Sequence, residues 1–84
     1  ADALAHEQSA ARRLFLTLPW TFDNALRIAR AFVDEAGDVP YDVLDSFVRS
    51  TDEGHEIRDA IRELRRVHFA SVGKPVPTYS NTRV

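Results

Sequence analysis

Residues 50–71 constrain the fold most strongly, because this stretch has the pattern of a long amphipathic helix. Ser50 and Glu53 have the spacing of a capping box, which predicts that the helix begins at Ser50. Acidic residues near the start and basic residues near the end both complement the helix dipole. The residues predicted to form its apolar face are Ile57, Ala60, Ile61, Leu64, Val67 and His68. Such a helix needs apolar partners, so the rest of the chain is expected to supply further helices.

Proline, glycine and capping residues divide the preceding part of the chain into three helices. Pro19 ends the first, because the residue before a proline disfavours helical backbone. Thr21 is a suitable N-cap for the second, and Gly37 suits the left-handed position that follows a helix. Pro40 stands where the first turn of a short third helix begins. The predicted helices cover residues 1–18, 22–36 and 40–49.

The residues after the last helix have a different character. Gly73, Pro75 and Pro77 oppose helix and favour an extended arm. Val76 and Tyr79 are large side chains in this arm, with no helix of their own to pack on. We expect the arm to be disordered in the free domain and to become ordered on a partner, because fixing it costs backbone entropy.

These patterns together predict an all-α fold. The helical bundle, with four helices of which the third is short, is expected to cover residues 1–71. The extended C-terminal tail is expected to cover residues 72–84. At 84 residues the chain has room for one domain with a modest core.

The composition argues against several classes of site. The chain has no cysteine, which removes disulfides, thiolate catalysis and cysteine-based metal sites. Its histidines lack the spacing of a zinc-binding helix, and no nucleophile elbow is present. We therefore expect no catalytic residue, no cofactor and no metal, and we do not expect an enzyme. No apolar run approaches the ~20 residues that cross a bilayer, so no membrane span is expected either.

The net charge of −2 hides a separation of charge along the chain. Residues 34–56 contain eight acidic residues and one arginine, whereas residues 57–84 contain six basic residues and two acidic ones. An acidic middle and a basic end favour oriented docking on a charged partner over binding to a uniform polyanion.

The basic face of the last helix is the first candidate for partner binding. The favoured interpretation of the face itself is a solvated one, in which acidic residues three positions earlier in the helix pair with two of the arginines. The arginines of this face are Arg58, Arg62, Arg65 and Arg66.

Three further residues are candidates for contact with a protein partner. Val76 and Tyr79 of the tail could fill a partner groove together. Trp20, at the corner between the first two helices, has two open interpretations: it covers the end of the core, or it is an exposed interface anchor.

The function favoured by these patterns is a small, non-catalytic protein–protein interaction domain, an accessory or adaptor subunit of a larger assembly. The alternative is a helix-turn-helix-like regulator that binds nucleic acid through the basic last helix. Residues 29–49 have helix-turn-helix spacing, but Asp42 and Asp45 would face the phosphates and repel them. A protein partner is therefore favoured, and nucleic acid is disfavoured.

Overall fold

A computed structural model describes residues 9–79 of the chain. Within this range there are four α-helices and no β-strand, which confirms the predicted all-α bundle with a short third helix. Residues 1–8, the start of the first predicted helix, and residues 80–84 of the tail lie outside the described range. The helices are α1 (Ala10–Thr17), α2 (Phe22–Ala36), α3 (Tyr41–Ser50) and α4 (Gly54–Ser71).

The first two helices end and begin largely where the sequence predicts. The Thr21 hydroxyl accepts a hydrogen bond from the Asn24 N–H at 3.2 Å, which confirms Thr21 as the N-cap of α2. Gly37 has φ of 88° and its N–H donates to the Val33 carbonyl, which confirms the left-handed end of α2. The prediction of one continuous helix over residues 1–18 is wrong at Ser9, which has non-helical backbone and caps α1 by accepting from the Arg12 N–H at 3.1 Å.

The predicted start of the last helix at Ser50 is wrong. Ser50 is the final residue of α3, and Glu53, which precedes α4, makes no capping bond with its side chain. The two helices approach closely at Gly54, where a Cβ atom would lie 2.4 Å from the Val48 carbonyl oxygen. This approach requires glycine in the first turn of α4, and it places the turn between the helices at residues 51–53.

The core lies along α2, which packs against both α1 and α4, while α3 packs against α4. Phe47 of α3 is fully buried and meets Phe15 of α1 edge to face, with ring centroids 5.7 Å apart. The fully buried large side chains of the described residues are Ile28, Val39, Val43, Phe47, Ile57 and Ile61.

The buried face of α4 is rotated relative to the prediction. Ile57 and Ile61 are fully buried as expected, but Val67 is 53% exposed. Arg65 and Phe69 are buried instead, because the inward stripe continues from Ile61 in steps of four residues. The predicted face included neither of them, and a charged residue on it was not anticipated.

The tail leaves α4 through Gly73, which has φ of 73°, and continues without helix or strand as far as the described residues extend. That the tail is disordered in the free domain stays a prediction, but residues 74–79 make two contacts with the bundle that oppose it. The Arg65 Nη2 donates to the Pro77 carbonyl at 2.8 Å, and the Tyr79 hydroxyl donates to the Val39 carbonyl at 2.6 Å. These bonds hold the tail against α4 and the α2–α3 connection.

None of the helices within residues 9–79 is long and apolar enough to cross a membrane.

Candidate functional site

Arg65 organises the surface where α3, α4 and the tail meet. Its Nε and Nη2 donate to the two carboxylate oxygens of Asp38, at 2.6 and 2.9 Å. The Arg65 side chain is only 7% exposed, so its predicted place on the solvent-facing side of α4 is wrong. A buried cation is tolerated because Asp38 neutralises it in a two-bond fork, and this hydrogen bonding raises the pKa of Arg65.

Tyr79 covers Arg65 from the tail side. The Arg65 guanidinium carbon lies 4.1 Å from the centre of the Tyr79 ring, which is cation–π geometry. The Tyr79 ring also lies beside Tyr41, with centroids 5.3 Å apart. Burial raises the pKa of Tyr79 to about 12, although the Arg65 charge acts in the opposite direction. The phenol therefore stays neutral at physiological pH and donates a hydrogen bond to the carbonyl oxygen of Val39.

A pocket of about 300 Å³ lies beside this cluster. We call it the tail pocket. It combines basic groups from α4 with aromatic and apolar walls from α3 and the tail. Its lining residues are Tyr41, Leu44, Arg58, Arg62, Arg65, Thr78 and Tyr79. The volume is at the lower limit for small-ligand sites, and it suits one or two side chains of a peptide.

Two arginines of the tail pocket lack a strong partner within the chain. Arg62 is exposed and forms no ion pair or side-chain hydrogen bond with any residue in the range 9–79. Arg58 has only a long contact with its neighbour Asp59, at 3.6 Å. The Nε of Arg58 is shielded from solvent and has no hydrogen-bond partner in the described structure. The pocket therefore presents the unpaired charge of Arg62 beside the weakly paired charge of Arg58.

The remaining predicted residues of the basic face and tail lie outside the tail pocket. Arg66 forms a two-bond pair with Glu63 on the solvent side of α4, which raises the pKa of Arg66 and lowers that of Glu63. This pair matches the solvated-face interpretation, whereas the other predicted pair is absent from the described residues, because Asp59 contacts Arg58 and not Arg62. Val76 is 39% exposed on the tail, two residues before Thr78.

Trp20 packs on the end of the core. Its ring stacks on Phe15 with centroids 5.1 Å apart and meets Phe47 edge to face at 5.5 Å. The indole Nε1 donates to the Phe15 carbonyl at 3.0 Å. These contacts match the first interpretation of Trp20, and they do not bring it to the tail pocket.

A second cavity of about 360 Å³ lies between α2 and α4. Leu26, Val33 and Leu64 supply apolar walls, while Arg30 and Glu63 lie among the polar lining residues. No group of three potential metal-binding side chains occurs here or elsewhere in residues 9–79. The charged residues of its lining, Arg30, Asp34 and Glu63, are mixed in sign, whereas the charges of the tail pocket are all positive, so we regard the tail pocket as the better candidate site.

Sequence reasoning identified the arginines and Tyr79 but missed Asp38, Tyr41, Leu44 and Thr78. The spacing from Ile57 through Ile61 could have indicated that Arg65 is buried and requires a carboxylate. It could not have selected Asp38, because the neighbouring segment offers many acidic residues and only the packing of the helices decides among them.

Comparison of the chain with protein-family models, with curated proteins and with solved structures gave no match.

Proposed function

We propose that the protein is a small, non-catalytic protein–protein interaction domain, an accessory or adaptor subunit that docks on its partner through the tail pocket and the adjoining tail. The observation that carries this proposal is the convergence of Arg58, Arg62 and Tyr79 on one pocket. Two of these groups are cations without a strong internal partner.

Exposed apolar side chains just after α4, on the tail and at the pocket wall support a protein partner. Val72 and Val76 are 49% and 39% exposed, and Tyr41 at the pocket wall is 38% exposed. Aromatic and arginine side chains are enriched where protein interfaces are most tightly held. A partner that covers this surface would bury apolar area and pair the arginines at the same time.

Nucleic-acid binding is the alternative function, and the charges around α4 favour it less. Arg65 is neutralised by Asp38, and Arg66 is paired with Glu63. Only two of the four arginines of the predicted basic face therefore remain to neutralise phosphates. Two phosphate contacts give a weak, non-specific affinity at physiological salt.

The experiment is affinity capture of the full chain from its native source, followed by calorimetry with the purified partner. Val76→Asp should weaken binding at least tenfold, about 1.4 kcal/mol, because it places a charge in the apolar part of the interface. The matched control is Leu16→Asp on α1, since Leu16 is 70% exposed and lies outside the tail pocket.

Leu16→Asp is expected to leave the dissociation constant within about twofold of the wild-type value, since surface changes away from an interface have small effects. Equal weakening by both variants, or no partner that binds at stoichiometric levels, would contradict the proposal. Circular dichroism of both variants establishes that the helices are retained.

A further inference from the structure

We infer that the tail pocket binds the carboxylate of a glutamate side chain in an acidic peptide segment of the partner. This inference rests on the proposed function and specifies the chemistry of the segment that is recognised. It depends on three features of the pocket: the unpaired Arg62 beside the weakly paired Arg58, the unused donors and the apolar walls.

The positive charge at the pocket favours binding of a compact anion. Arg58 and Arg62 are four residues apart on α4, so their side chains are neighbours on one face of the helix. No carboxylate is among the residues that line the pocket. Arginine forks match the two oxygens of a carboxylate, and such charge-assisted bonds are stronger than neutral ones.

The available donors lie on both sides of the pocket. Arg58 and Arg62 contribute from α4, and the buried Nε–H of Arg58 lacks a partner in the described structure. The hydroxyl of Thr78, on the tail, makes no hydrogen bond with any residue in the range 9–79. A carboxylate placed between α4 and the tail would supply acceptors to groups that otherwise bond only to water or remain unpaired.

The walls explain why the anion should be carried on an aliphatic stem. Leu44 and the rings of Tyr41 and Tyr79 line the pocket beside the arginines. The two methylene groups of glutamate can pack on these walls while the carboxylate reaches the guanidinium groups. An exposed phosphodiester chain has no comparable stem.

The surrounding charges favour an isolated acidic segment over a long polyanion. Asp42 and Asp45 lie on α3, and Asp59 and Glu63 lie on α4. A nucleic-acid strand that extended beyond the pocket would meet these carboxylates, and the net charge of the chain is −2. A short peptide can place one carboxylate in the pocket and keep its other residues away from them.

The test is an NMR titration of the full chain with a blocked Ala-Glu-Ala peptide, with a blocked Ala-Gln-Ala peptide as the uncharged comparison. We expect saturable shifts of the Nε–H signals of Arg58 and Arg62 and of the Thr78 amide with the glutamate peptide only. Arg62→Gln should raise the dissociation constant at least tenfold. The matched control Arg27→Gln, an exposed position on α2 outside the pocket, should leave it within about twofold.

Several results would overturn the inference. Equal shifts with both peptides, or equal effects of Arg62→Gln and Arg27→Gln, would show that the pocket does not recognise the carboxylate. Tighter binding of a 15-nucleotide oligothymidylate, with a steep loss of affinity in salt, would instead favour nucleic acid.

Binding of the variants to the native partner distinguishes a failure of this inference from a failure of the proposed function. If Val76→Asp weakens partner binding and Arg62→Gln does not, docking through the tail stands and the glutamate site is wrong. If both variants weaken it and Arg27→Gln does not, both proposals are supported. If neither weakens it, the domain docks elsewhere and both proposals fail.

Discussion

Arg65 has a structural role that its charge conceals. It sits on the buried stripe of α4, forms a fork with Asp38 and donates to the backbone of Pro77. It therefore joins α4, the α2–α3 connection and the tail through one guanidinium group. Loss of Asp38 would leave the buried charge of Arg65 without compensation, which is more harmful than loss of the pair as a whole.

Tyr79 provides a pH-dependent test of this cluster. Its pKa is raised to about 12, above the value of about 10 of an exposed tyrosine, so folding favours the neutral phenol. This contribution to stability is complete below pH 10 and is lost as the pH rises from about 10 through about 12. Tyr79→Phe should cost about 0.5–1.5 kcal/mol at pH 8 through the lost bond to Val39.

The same variant should also remove part of the loss of stability in alkali. Urea unfolding of both proteins between pH 8 and pH 12 measures the difference in stability. The difference in absorbance at 295 nm between the two proteins follows ionisation of Tyr79, because Tyr41 is present in both. Parallel stability profiles for wild type and Tyr79→Phe would mean that Tyr79 does not couple its ionisation to folding.

The helices differ in how much of their structure the sequence reveals. The N-cap at Thr21 and the end of α2 at Gly37 were predicted, because capping bonds and left-handed backbone depend on single local residues. The start of α4 was predicted wrongly. The capping-box spacing at Ser50 suggested an earlier start, but the close contact between Gly54 and Val48 places the start at Gly54. That contact involves a residue of another helix, which local spacing cannot identify.

Gly54→Ala tests the close approach of α3 and α4. The added Cβ atom would lie 2.4 Å from the carbonyl oxygen of Val48 and 2.9 Å from its Cα, and backbone cannot move aside like a flexible side chain. We expect a loss of about 1–3 kcal/mol in the free energy of unfolding, measured by urea denaturation.

Whether Gly54→Ala lowers or raises the free energy of unfolding tests the contact between α3 and α4. Where a glycine in a helix has open space around it, replacement by alanine stabilises by roughly 0.5–1 kcal/mol. A more stable Gly54→Ala variant would therefore show that α3 and α4 do not meet as described.

At the scale of the whole molecule, the hydrophobic periodicity of the sequence predicts the helical bundle. It does not predict how the tail packs on that bundle. Hydrophobic spacing and punctuation by proline and glycine were sufficient for the all-α fold. The tail pocket depends on Arg65 facing inward and on Tyr79 returning to the bundle, contacts that span 27 and 40 residues. The composition of the tail indicated a free arm, because the tail has few apolar side chains. Composition cannot reveal hydrogen bonds to backbone groups that are distant in the sequence.

The most direct test is the backbone motion of the tail in the free, full-length protein, measured by ¹⁵N relaxation at the amides of Val76, Thr78 and Tyr79. If Arg65 and Tyr79 hold the tail against the helices, these amides should have order parameters close to those of α4, about 0.85. Values below about 0.6 at all three would mean that the tail moves independently of the bundle, and the tail pocket would then not exist before a partner binds.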